Sequence, residues 1–184
     1  DEGATQMKEE KNNVILPLFE DFSSFLQQKQ TEIIADIENI DSEKFSNDRW
    51  GMFEEGCDPS LKSGGITRVI QGGKVVEKGA CSLTLLRGGK LTAERAASIQ
   101  GRQGKDAVSV KEGDEYYAAA LSMVLHTRSP LVPTFRSDVR IFMVKPSEGD
   151  VVAWFGGGSD LTPYYLFDED IVSFHKRLKA LCDE

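Results

Sequence analysis

Between Pro133 and Tyr165 the chain reads PTFRSDVRIFMVKPSEGDVVAWFGGGSDLTPYY. This stretch concentrates the residues best able to do chemistry. Arg136, Asp138 and Arg140 recur at every second position, and Phe135, Val139, Ile141 and Met143 take odd-numbered positions of the opposite parity. A strand alternates its side chains between two faces, so this spacing predicts an apolar back and a charged front. Downstream, Gly156-Gly157-Gly158 leads to a single carboxylate, Asp160. Such a run reads as a second strand entering a glycine loop, where backbone can approach a flat ligand. A guanidinium fork holds a carboxylate bidentately, so Arg140 is a candidate anion clamp. The plainer reading of Arg140 is a salt bridge to Asp138 or to an acid on a helix. Asp160 could accept hydrogen bonds from ligand N–H groups. Alternatively, Asp160 or Thr162 caps a turn begun by Pro163.

His126 and His175 are the only histidines. Each is a candidate proton carrier or a hydrogen-bonded structural residue. They lie far apart, with no Asp or Cys at ligand spacing, so no metal site is expected. Neither a Ser-His-Asp set nor the GKS/GKT of a phosphate loop is present. Cys57, Cys81 and Cys182 lack metal-type spacing and suggest reduced thiols rather than a disulfide framework.

The elements that must position these groups follow from the pattern. Residues 1–12 are polar and expected to form a flexible tail. From about Asn13 to Asn39, Leu16, Phe19, Phe22, Phe25, Leu26, Ile33 and Ile37 recur at helical spacing, with Pro17 suited to a first turn. One long helix, or two with a break, would result. The stretch 40–61 reads as an acidic linker pinned by Trp50, Met52 and Phe53. Ile66–Ile70, Gly72-Gly73 and Val75–Lys78 read as a hairpin, and Cys81–Leu86 as a third strand. Leu91–Ile99 reads as a short helix with Thr92 as N-cap, and 101–113 as a loop. Tyr116–Leu125 fits helix or strand, and Ser122 shares a face with His126 under either. The acids at Asp168, Glu169 and Asp170 favour a helix start, with Ile171, Phe174, His175, Leu178 and Leu181 near its inner face. The result is an α+β domain over residues 13–184 with a largely antiparallel sheet. Its end immediately after a helix suggests the front part of something larger.

The 184 residues carry 22 basic and 30 acidic side chains, a net charge of −8. That balance argues against general nucleic-acid binding. Against it, Arg128 to Lys145 holds four cations and one acid, a local island suited to carboxylates or phosphates. No apolar run is long enough to span a bilayer. The start at Asp1 fits either a processed form or a first ordered residue.

The motifs SGGITRVI, GKVVEKG, LSMVLHTRSPLVPT, DVRIF and WFGGGSDLTPYYLFDEDIVSFHKRLKALCD resemble the oxygen-dependent coproporphyrinogen III oxidases, from about Trp50 to Glu184. The resemblance implies a large antiparallel sheet flanked by helices, usually a homodimer. It implies no metal or prosthetic group, with molecular oxygen as co-substrate. It implies oxidative decarboxylation of two propionates of coproporphyrinogen III to vinyl groups, giving protoporphyrinogen IX in haem and chlorophyll biosynthesis. By position, Ser122 and Asp138-Val139-Arg140 would contact this tetrapyrrole, Arg140 holding a propionate and Asp160 facing the pyrrole N–H groups. His126 and His175 fall on histidines of the family pattern.

The chain also departs from that pattern. After PT the family has His two residues on and Asn four residues on; here these are Arg136 and Asp138. That His is the family's proposed proton-transfer residue, and an arginine has no accessible neutral form. Met143 stands where an acid is usual, and Thr127-Arg128-Ser129 replaces an aromatic-proline step. A loop of roughly ten residues, Phe53–Lys62, precedes SGG, and the family's second half is absent. Two readings follow. One is an active oxidase. The other is an inactive paralogue serving as a structural or tetrapyrrole-binding subunit of a larger complex. A soluble, intracellular setting is expected, a plastid first, with a mitochondrion or the cytosol as alternatives.

Overall fold

A computed structural model describes residues 2–103 and 109–183. The elements are helix α1 (Glu2–Ile40), strands β1 (Ser46–Gly51), β2 (Gly64–Gln71) and β3 (Val76–Lys90), helix α2 (Ala93–Gln103), strands β4 (Glu115–Thr127), β5 (Thr134–Lys145) and β6 (Val152–Thr162), and helix α3 (Asp168–Cys182). The strands form one six-stranded sheet in sequence order, every neighbouring pair antiparallel. The α+β expectation holds.

α1 is a single helix, and Pro17 lies inside it rather than in its first turn. Phe19, Ser23, Leu26, Gln30, Ile34 and Ile37 form its buried stripe at spacings of three and four. Leu16 and Phe25, expected on that stripe, face solvent. The stripe packs on Ile70, Cys81, Leu83, Leu85, Ala119, Leu121, Ile141 and Met143 of the sheet. Burying each such large apolar side chain stabilises by roughly 1.5–3 kcal/mol. Polar contacts fix the helix along its length. Arg87 donates to both Glu20 carboxylate oxygens at 2.9 and 2.7 Å. Buried Gln30 donates to the carbonyls of Ile66 and Cys81 at 2.8 and 2.9 Å. Just past the helix, Asp41 accepts backbone N–H groups from the β2–β3 turn, Lys74 at 2.8, Val75 at 3.1 and Val76 at 2.7 Å. That turn needs Gly72, whose φ is +78°.

α2 covers one end of the opposite face, where Leu91, Ile99, Val110, Phe142 and Val144 form a second cluster. Thr92 caps it, accepting from Arg95 N at 3.3 Å. The Arg95 guanidinium lies over the Tyr116 and Phe142 rings.

Several sequence expectations are corrected. The supposed linker contains β1, whose SNDRWG residues are exposed along one sheet edge and carry no apolar alternation. The second hairpin arm and third strand are one continuous β3 through Gly79. Tyr116–Leu125 is strand. The loop expected over 101–113 is partly helix, since α2 runs to Gln103; residues 104–108 lie outside the described residues. The triple glycine is not a loop: Gly156, Gly157 and Gly158 sit inside β6. α3 forms where expected, but buries none of its residues.

Candidate functional site

Because the strands pair in strict antiparallel register, parity decides which side chains meet. Even-numbered residues of β4, β5 and β6 share the face opposite α1. They stand in rows: Ala120, Arg140 and Gly156; then Ser122, Asp138 and Gly158; then Val124, Arg136 and Asp160; then Thr134 with Thr162, beyond which His126 sits on β4. Arg140, Arg136, Asp138, Asp160, Ser122 and His126 are therefore on one side of the sheet, left bare where α2 stops. Arg136 and Arg140 stand roughly 13 Å apart along the strand.

His126, Arg136 and Asp160 line one hollow of about 500 Å³, together with Val124, Thr134, Thr162, Pro163 and Tyr164. Thr134 Oγ1 lies 3.5 Å from His126 Nδ1. Thr162 donates to Asp160 at 2.6 Å, so this carboxylate is oriented from its own strand rather than capping a turn. Asp160 also borders a second cavity of about 210 Å³ with Phe174 and His175 of α3. His175 thus neighbours Asp160 but not the Arg140 end of the face.

Val139 is separated from the others. Odd-numbered, it points to the α1 side and is half-exposed there, so only its backbone belongs to the charged face. The cationic island also divides. Arg128 donates to the Gly73 carbonyl at 2.9 Å, and Lys145 pairs in register with Glu115 at the far end of β5. Arg136 and Arg140 are its members on the site face.

Both arginines turn to Asp138. Arg140 Nη1 donates to Asp138 Oδ2, and Arg136 Nη2 lies 3.8 Å from Asp138 Oδ1. The two arginine side chains are 63 and 55% exposed and that of Asp138 17%. Ion pairs this open to water contribute about 0–1 kcal/mol each and exchange partners readily.

The glycines shape the floor beside the row. A Cβ at Gly157 would meet the Asp138 carbonyl oxygen at 2.4 Å, whereas at Gly158 it would meet nothing within 4 Å. Gly157 is required by close strand approach, and Gly158 leaves open surface next to Asp138. Val124, Thr134, Thr162 and Tyr164 are lining residues that sequence reasoning missed. Extending the even-numbered alternation beyond Arg136 and Asp160 would have found the two threonines.

Comparison with known proteins now bears on this face. Residues 21–184 match the family model described as coproporphyrinogen III oxidase. The oxygen-dependent coproporphyrinogen-III oxidases of Francisella tularensis subsp. mediasiatica and Francisella philomiragia are each 36% identical over 166 residues, 90% of this chain and 50% of theirs. The chain spans about half the length of the curated relatives it matches. With all six strands of its sheet, the three that carry the site among them, inside the matched region, this chain belongs to the coproporphyrinogen III oxidase family.

Proposed function

We propose that this chain supplies the face on which an oxygen-dependent coproporphyrinogen III oxidase holds its macrocycle. One observation carries the reading: two arginines, a histidine and Asp160 share one uncovered sheet face with a glycine strand beside them. A flat tetrapyrrole bearing carboxylate arms fits that chemistry. In this reading Arg140 grips a propionate through its fork. Asp160 accepts pyrrole N–H bonds, and Ser122 and the 138–140 backbone border the ring. For each propionate the balance is RCH2CH2COOH + O2 → RCH=CH2 + CO2 + H2O2. The carboxyl C–C bond and one C–H bond break, the vinyl double bond forms, and oxygen takes two electrons and two protons. Arg136 cannot carry those protons, because it has no accessible neutral form. His126, on the same hollow, is the group able to do so. His175, beside Asp160, supports that end of the site.

A second reading keeps the binding and drops the turnover. It is favoured by Arg136 at the hollow and by Asp138 engaging both guanidiniums. Such a protein would act as a tetrapyrrole-binding or structural subunit in a plastid or mitochondrial complex, or pair with a second copy. Light scattering of the purified protein reads the assembly state.

The test is a fluorescence titration with coproporphyrin III, paired with coproporphyrinogen III in air and detection of vinyl product. Arg140→Gln should weaken binding on the order of tenfold, the loss of one charge-assisted pair. Unchanged affinity in Arg140→Gln would remove the tetrapyrrole reading. Binding without vinyl product selects the subunit reading.

A further inference from the structure

We infer that Asp138 sets how tightly this face holds a carboxylate ligand, by competing from within for both guanidiniums. The inference rests on the tetrapyrrole reading for its ligand and assigns Asp138 a role that reading does not require.

Asp138 stands midway between Arg136 and Arg140, one even position from each. Each of its oxygens is turned to one of them, Oδ2 to Arg140 and Oδ1 to Arg136. No other Lys or Arg forms an ion pair with it among the described residues. Its neighbours across the ladder are Ser122 and Gly158, neither able to neutralise it. Arriving at Arg140, a ligand carboxylate meets a fork with one arm already taken and a fixed like charge beside it. Like charges brought together oppose binding, and an occupied donor must first be released. The arginines are open to solvent while Asp138 is mostly covered, so the exchange swings the guanidiniums outward and leaves Asp138 in place.

The test measures dissociation constants for coproporphyrin III, with four carboxylates, and mesoporphyrin IX, with two, by fluorescence at fixed ionic strength. Asp138→Asn keeps the shape and removes the charge. It should tighten both ligands, coproporphyrin III on the order of tenfold. Asp138→Ser, which cannot span to either guanidinium, should act in the same direction. Equal or weaker binding in both variants would overturn the inference and make Asp138 a ligand contact or a positioning residue. Arg140→Gln in the same series separates the two ideas. If it fails to weaken binding, the tetrapyrrole reading falls. If it weakens binding while the Asp138 variants do not tighten it, only the competitor role falls.

Discussion

Replacing Asp41 by asparagine should cost the fold about 2–4 kcal/mol without touching the candidate site. Its carboxylate gathers five backbone N–H groups: Ser42 at 2.6, Glu43 at 3.3, Lys74 at 2.8, Val75 at 3.1 and Val76 at 2.7 Å. Three of these belong to the β2–β3 turn, so one side chain fastens the end of α1 to the sheet. Asparagine preserves one acceptor oxygen and turns an NH2 toward the N–H groups that Oδ2 now receives. Two charge-assisted bonds are lost, each worth about 1.5–3 kcal/mol at full burial and less at this half-buried position. Urea unfolding at pH 7, followed by far-ultraviolet circular dichroism, reads the difference. Burial opposes ionisation here, but the N–H groups of Val76, Lys74, Val75 and Glu43 outweigh it and hold the carboxyl far below the usual range. A depressed carboxyl contributes its full stability above the unfolded value, about pH 4, and loses it as pH falls toward the folded value. The gap between wild type and Asp41→Asn should therefore be full at pH 6 and shrink steadily below pH 4. A loss under 1 kcal/mol at pH 7, or a gap that grows in acid, would refute the latch.

The glycines of β6 should separate cleanly. Gly157→Ala, which drives a Cβ into the Asp138 carbonyl, should destabilise by about 1–3 kcal/mol in thermal unfolding, while Gly158→Ala should stay within about 0.5 kcal/mol. The thiols should rank by exposure: mass mapping after iodoacetamide at pH 8 should find Cys182 modified first. Cys81, fully buried and pushed up to about 11 by that burial against the opposing charge of Arg68, should react only in urea.

How much of this was legible follows from the local signals. β5 could be read outright because charged residues at 136, 138 and 140 alternate with Phe135, Val139 and Ile141, and the same alternation placed Arg136, Asp138 and Arg140 together. α2 could be read from Thr92 and the amphipathic pattern behind it. β6 was misjudged because three glycines in succession ordinarily break a strand. Here the tight approach of β5 to Gly157 makes a missing side chain a condition of pairing. β1 was invisible because SNDRWG has no apolar period, and only its ladder with β2 makes it a strand. At the site, which face each residue takes was legible from parity. The Arg140–Asp138 salt bridge was one of the two sequence readings of that arginine, and the structure forms it. The diversion of Arg128 to the Gly73 carbonyl depends on a turn distant in sequence.

β5 is a partition with chemistry on one side and oil on the other, and it has no neutral position. Deleting a single residue between Phe135 and Arg140 would slip everything upstream of the cut by one place and invert it. Phe135 would then turn toward the hollow and Arg136 toward α1, so one lost codon would dismantle the charged face and the core together. An extra residue in the 128–133 connection, by contrast, would be absorbed before the ladder starts. Length variation in this protein is therefore tolerable at that bend and ruinous a few residues later.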